Sequence, residues 1–227
     1  MLCIGIVALV LGIISEFIDN AYQSFRDHKK EMIEEIHVKK CIINISWTND
    51  EVVIVDNAYG MDREAFQRAL RLNDPAKKYS ENSLSKYGMG LKYAAANLGD
   101  EWIIESSAYG SKEKFSGTVD IGEWKKNNPE TMPVQIIDDF DKNKHFTSIT
   151  IKKLKHRYND AEMKKVLKKL GIIYEYFIDK EQNLEIYIND EKVKYEEPEL
   201  YRDKNGSDVM EFLNKKFIYQ GKEYEFS

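Results

Sequence analysis

The hydrophobic period of the chain changes early. From about residue 9 to 35, Ile13, Ile14, Phe17, Ile18, Ala21 and Phe25 recur at helical spacing, and Ser15, Glu16, Asp19, Asn20 and Gln23 fall on the other side. Cys41, Ile43, Ile45 and Trp47 then alternate with Ile42, Asn44, Ser46 and Thr48, the period of a strand. Thr48-Asn49-Asp50 signals a turn, and the run Glu51-Val52-Val53-Ile54-Val55 completes a hairpin. Asp62 follows Gly60-Met61 and predicts a helix capped there and running through Arg71, with Ala65, Phe66, Ala69 and Leu70 inward.

Residues 73–86 are polar and contain Pro75 with several Lys and Ser, which predicts a long loop of the kind that acts as a lid. A small-residue helix over 91–98 is ended by Gly99. Strands are predicted over 102–105, 115–121, 134–137 and 147–154. Asn159-Asp160-Ala161-Glu162 reads as a capping box, followed by Met163, Val166, Leu167 and Leu170 at core spacing. Residues 184–188 with Asn189-Asp190 begin another hairpin, and 216–227 read as further strand.

Size and composition narrow the classes. The 227 residues suffice for one well-buried domain and part of a second. The formal charge of −5 supplies no global basic field for nucleic acid. The pairs Lys164-Lys165 and Lys168-Lys169 fit a solvated helix face better than a nucleic-acid stripe. Cys3 and Cys41 make no disulfide framework or metal spacing, so a reducing, cytoplasmic location is expected. The apolar start, residues 1–14, has no basic flank or cleavage site and stops at Ser15-Glu16, short of a spanning helix; it reads as the first part of a buried helix, with no membrane partner. His28, His37, His145 and His156 are scattered without metal-ligand spacing, and Tyr174, Tyr176 and Phe177 read as core or interface packing.

Three polar segments stand in these apolar surroundings. Glu16 and Asn20, at i and i+4, project from one helix face. A carboxylate there can take a proton from attacking water, and an amide oxygen one turn on can hold Mg²⁺; both also suit a plain solvated face. Asp56 ends a strand and can accept from the amino group of an adenine, with Gly60 permitting close backbone approach; an ordinary strand-to-helix turn uses the same residues. Gly88 and Gly90 flank Met89 before a helix opens at Leu91, where backbone N–H groups form an anion site and Lys92 adds a charge.

Together these segments resemble the GHKL superfamily of ATPases: gyrase, the ninety-kilodalton heat-shock chaperone, histidine kinases and MutL. Glu16-Phe17-Ile18-Asp19-Asn20-Ala21 resembles the Glu-x-x-x-Asn box, and Asp56-Asn57-Ala58-Tyr59-Gly60-Met61 the Asp-x-Gly-x-Gly box, with Ala58 in place of the first Gly. Tyr87-Gly88-Met89-Gly90-Leu91-Lys92 resembles the Gly-x-Gly box after the ATP lid, in the form of the microrchidia (MORC) type. Thr147-Ser148-Ile149-Thr150-Ile151 resembles the late strand whose Thr supports the adenine-binding Asp, with Phe146 where a Gly commonly stands.

The resemblance implies a two-layer α/β sandwich of Bergerat type, a mixed, largely antiparallel sheet with helices on one face. It implies an ATP-binding domain over 1–155, then a linking helix and a partial transducer-like segment over 156–227. It further implies ATP and Mg²⁺ as cofactors, with Glu16 as general base and Asn20 as Mg²⁺ ligand. Asp56 would contact adenine with Gly60 and Met61 bordering it, Tyr87, Gly88, Met89, Gly90, Leu91 and Lys92 would surround the phosphates, and Thr147 would support Asp56. Relatives often carry an arm before the first helix that crosses to a partner subunit, and this chain has little there. The implied partners are a second copy in a homodimer, and a protein client or DNA reached through regions outside this chain. Three functions follow: an ATPase whose lid closure and dimerisation drive a partner or DNA-related event, an ATP-binding switch with negligible turnover, and a histidine kinase catalytic domain. Histidine kinases usually carry Asn at the position of Glu16, which disfavours the third.

Overall fold

The computed structural model describes residues 2–70, 90–127, 133–197, 215–219 and 222–226. The chain forms two compact units, Met1–Tyr195 and Glu196–Ser227. The smaller unit holds an antiparallel hairpin of two strands, Lys215–Tyr219 and Lys222–Phe226.

The larger unit opens with helix α1 (Leu2–Asp27), a short helix α2 (Lys29–Glu34), strand β1 (Cys41–Trp47), strand β2 (Glu51–Asp56) and helix α3 (Arg63–Leu70). It continues through α4 (Gly90–Leu98), β3 (Gly99–Ser107), β4 (Lys114–Asp120), α5 (Ile121–Asn127), β5 (Val134–Ile137) and β6 (Phe146–Leu154). Helix α6 (Asp160–Ile173), a π-helical turn Tyr176–Lys180, and strands β7 (Leu184–Ile188) and β8 (Glu191–Lys192) complete it. The eight strands form one sheet in the order β5-β4-β3-β6-β2-β1-β7-β8, antiparallel throughout except where β1 pairs β7. This is the mixed, mostly antiparallel sheet with helices that the resemblance implied.

One row of side chains from each central strand makes the core. Cys41, Ile43, Ile45 and Trp47 of β1, Val52 and Ile54 of β2, Trp102 and Ile104 of β3, and Ile149 and Ile151 of β6 are all buried. They lie under Ile14, Phe17, Ile18, Ala21 and Phe25 of α1 and Ala94, Ala95 and Leu98 of α4. The alternation read along each strand therefore selects the face that the helices cover.

Two local differences have clear causes. The single helix expected over 9–35 is interrupted at His28, whose backbone leaves helical geometry and whose ring stacks on Tyr59 at 3.8 Å. The bend turns Met32 fully into the core. The strand expected over 115–121 stops at Asp120, whose carboxylate accepts from the N–H groups of Gly122 and Glu123 and so starts α5. The capping box at Asn159 and Glu162 forms as its spacing predicts.

Candidate nucleotide site

The apolar rows of three adjacent strands end in polar groups. Following the parity of Val52 and Ile54, Asp56 continues the helix-facing row of β2; Thr147 precedes Ile149 on β6, and Ser106 follows Ile104 on β3. The register pairs Asp56 with Thr147 and Thr147 with Ser106, so the three stand side by side at one end of the sheet. Ser106 is wholly enclosed and Thr147 nearly so. Their hydroxyl oxygens lie 3.0 Å apart, and Ser106 Oγ also donates to the carbonyl of Phe146 at 2.8 Å.

Asp56 is set deep but keeps some contact with solvent. Burial pushes its carboxyl up to about 7, against hydrogen bonds from the backbone N–H groups of Ala58 and Thr147 that favour the charged form. The Ala58 N–H bond measures 2.9 Å. The same charge helps to raise the buried Cys41 thiol, after desolvation itself.

The turn after Asp56 is fixed on all sides. Asn57 Oδ1 accepts from the N–H of Ile42 at 2.7 Å, and the Ala58 carbonyl lies 2.7 Å from His145 Nδ1. The Met61 N–H donates to Ser106 Oγ at 2.8 Å. Gly60 has φ +81, and a Cβ there would lie 1.9 Å from the Ser107 carbonyl oxygen, so only glycine fits. Asp62 Oδ1 then accepts from the Ala65 N–H at 2.7 Å and starts α3.

The C-terminal half of α1 reaches this end of the sheet. Tyr22 donates to Asn183 Oδ1 at 2.8 Å, and the Asn183 carbonyl accepts from Cys41 N–H at the start of β1. Glu16 and Asn20 are half-buried on the preceding turns. Asn20 Nδ2 donates to the Glu16 carbonyl at 2.7 Å, which commits the amide nitrogen and leaves the amide oxygen as the group available to a cation. Burial and then the nearby Asp19 charge raise the Glu16 carboxyl above its ordinary range. Asp19 is also raised by burial, while a hydrogen bond from Tyr174 opposes the shift.

Helix α4 opens at Gly90 and leads without a loop into β3, whose first residue pairs with Leu154 at the far end of the sheet. Helix α4 packs on β3 and on α1. A Cβ on Gly99 would lie 2.3 Å from the Lys152 carbonyl oxygen, so glycine permits this abrupt entry into the strand. Leu91 and Lys92 lie in the first turn of α4, and Tyr87, Gly88, Met89 and the lid expected over 73–86 fall outside the described residues. The second box thus closes the Asp56 end of the helix-covered face, and α1, which carries the first box, is tied to that end through Tyr22 and Asn183.

A profile described as histidine kinase-, DNA gyrase B- and HSP90-like ATPase matches residues 9–148. The chain belongs to this family. The matched span contains all three boxes and Thr147. Two Arabidopsis thaliana relatives give the GHKL domain its MORC-like relationship. Protein MICRORCHIDIA 7 is 31% identical over 116 residues, which cover 49% of this chain and 15% of that protein. Protein MICRORCHIDIA 5 is 27% identical over 100 residues, 44% of this chain and 14% of that protein. The chain therefore spans a small part of the length of these relatives. The ATPase region of Saccharomyces cerevisiae topoisomerase II bound to ICRF-187 superposes with a TM-score of 0.51 at 16% identity, covering 82% of this chain and 49% of that one. The ATPase and transducer domains of DNA topoisomerase II from Balamuthia mandrillaris give 0.53 at 14% identity, covering 82% and 48%. At such identities they support the GHKL fold. ATP binding and hydrolysis are the general chemistry of the family. No described helix is long and apolar enough to cross a membrane.

Several residues of this GHKL domain gave no functional signal in the sequence. Ser106 reads as one more strand residue until the register sets it beside Thr147. His145 and His28, given no chemistry, hold the Asp56 turn through Ala58 and Tyr59. Tyr174, expected as packing, is buried and also bonds to the turn of α1 that carries Glu16.

Proposed function

We propose that this GHKL domain binds Mg²⁺-ATP at the Asp56 end of the sheet and hydrolyses it. The observation that carries the reading is the polar row Asp56–Thr147–Ser106 closing an otherwise apolar sheet face beside a turn in which only Gly60 fits. A half-buried carboxylate with two backbone donors suits an adenine amino group, which supplies a further donor. Thr147 supports Asp56 from the neighbouring strand, and Gly60 and Met61 border the base. The family resemblance assigns the phosphates to Tyr87, Gly88, Met89, Gly90, Leu91 and Lys92, and the opening of α4 at Gly90 would offer them N–H groups.

Glu16, with its carboxyl raised, is suited to take the proton of the attacking water. The amide oxygen of Asn20 fits a hard cation, since its nitrogen is already committed to Glu16. Mg²⁺, when bound, neutralises phosphate charge. Lid closure and dimerisation would couple turnover to a partner or DNA-related event, in a cytoplasmic setting.

Phosphate release under Mg²⁺-ATP is compared for the native chain and Glu16→Ala, with ATP affinity measured first. Native release that is lost in Glu16→Ala, with binding retained, is the expected result. Binding without release in either protein favours an ATP-binding switch, and no binding refutes both readings.

A further inference from the structure

Resting on the hydrolysis reading above, we infer that Tyr174, at the C-terminal end of α6, is a positioning residue for Glu16. It ties the turn of α1 that carries the base to a helix beyond the matched span of 9–148.

Tyr174 is 4% exposed, and its hydroxyl lies 2.8 Å from Asp19 Oδ1 and 3.2 Å from the Ser15 carbonyl. A hydroxyl has one proton, so the shorter, charge-assisted bond to Asp19 is the principal one and Ser15 shares it. Ser15 and Asp19 bracket Glu16, and Asn20 closes the same turn through its bond to the Glu16 carbonyl. One tyrosine hydroxyl therefore touches both ends of the helical turn from which the base projects.

The bond also orients a charge. Asp19 lies at i+3 from Glu16, within reach of it along the helix. Held by Tyr174, its carboxylate is drawn toward α6. Released, it can swing toward Glu16 and the polyanionic substrate. A second tie nearby, Tyr22 to Asn183, fixes α1 to the segment after the π-helical turn. Both ties lead from α1 to the part of the chain that follows the sheet's central strands. A shift of α6 would thus change the aim of Glu16 without touching the adenine contacts at Asp56.

The test is Tyr174→Phe in the full chain, which keeps the ring and removes only the hydroxyl. The expected result is turnover reduced by roughly tenfold, as small misplacements of a catalytic group produce. ATP affinity and melting temperature should stay near those of the native chain. In an Asp19→Ala background the same substitution should have little further effect, because its partner is gone. Normal turnover by Tyr174→Phe overturns the inference while leaving the ATPase reading intact. A large loss of melting temperature, or an equal effect in both backgrounds, assigns Tyr174 to packing instead. Absence of turnover in the native chain overturns this inference together with the hydrolysis reading.

Discussion

Replacing Asp56 by Asn should make the empty protein more stable and the nucleotide site useless. The Asp56 carboxyl is raised from 3.8 to about 7, chiefly by burial. The folded state therefore holds its proton over a range where the unfolded chain has released it. The sign follows from linkage: the contribution of this group is most favourable below the unfolded value and is lost as pH rises toward the folded one. Between about pH 5 and about pH 8 the loss integrates to roughly 2–3 kcal/mol. The residual solvent contact of Asp56 favours the lower end. Asn is isosteric, can still accept from the Ala58 N–H and does not titrate. Urea unfolding of both proteins at the two pH values measures the difference. The advantage of Asp56→Asn should grow by about 2 kcal/mol from the lower pH to the higher. Calorimetry should show ATP binding lost, because the Asn amide nitrogen presents a donor to the adenine amino group. A stability difference that is the same at both pH values would refute the assignment of a buried, titrating acid.

Two further substitutions probe the frame of the site. Gly60→Ala drives a Cβ into the Ser107 carbonyl and requires positive φ, so it should cost more than about 2 kcal/mol and appear as a lowered urea midpoint with loss of ATP binding. Ser106→Ala removes the acceptor of the Met61 N–H and the partner of the Thr147 hydroxyl in an enclosed setting; a loss of roughly 1–3 kcal/mol is expected by thermal or urea unfolding, and no loss would show that the shared hydroxyl is dispensable.

Local patterns determined much of this protein. Alternation in β1 and β2, the helical stripe of α1 and the capping box of α6 each follow from chemistry within a few residues. The order of the three boxes was also legible, because each needs a particular residue type at a fixed local geometry. Sheet neighbours were not. The β1–β7 pairing joins segments some 140 residues apart, and strand periodicity gives the face of a residue but not its partner. Only that long-range register set Ser106 beside Thr147 and Asp56, and only packing turned Asp56 from a plausible turn residue into a carboxyl held near neutrality. The tie from Tyr174 to Asp19 was hidden for the same reason: burial and proximity arise when helices meet, and no residue carries them alone.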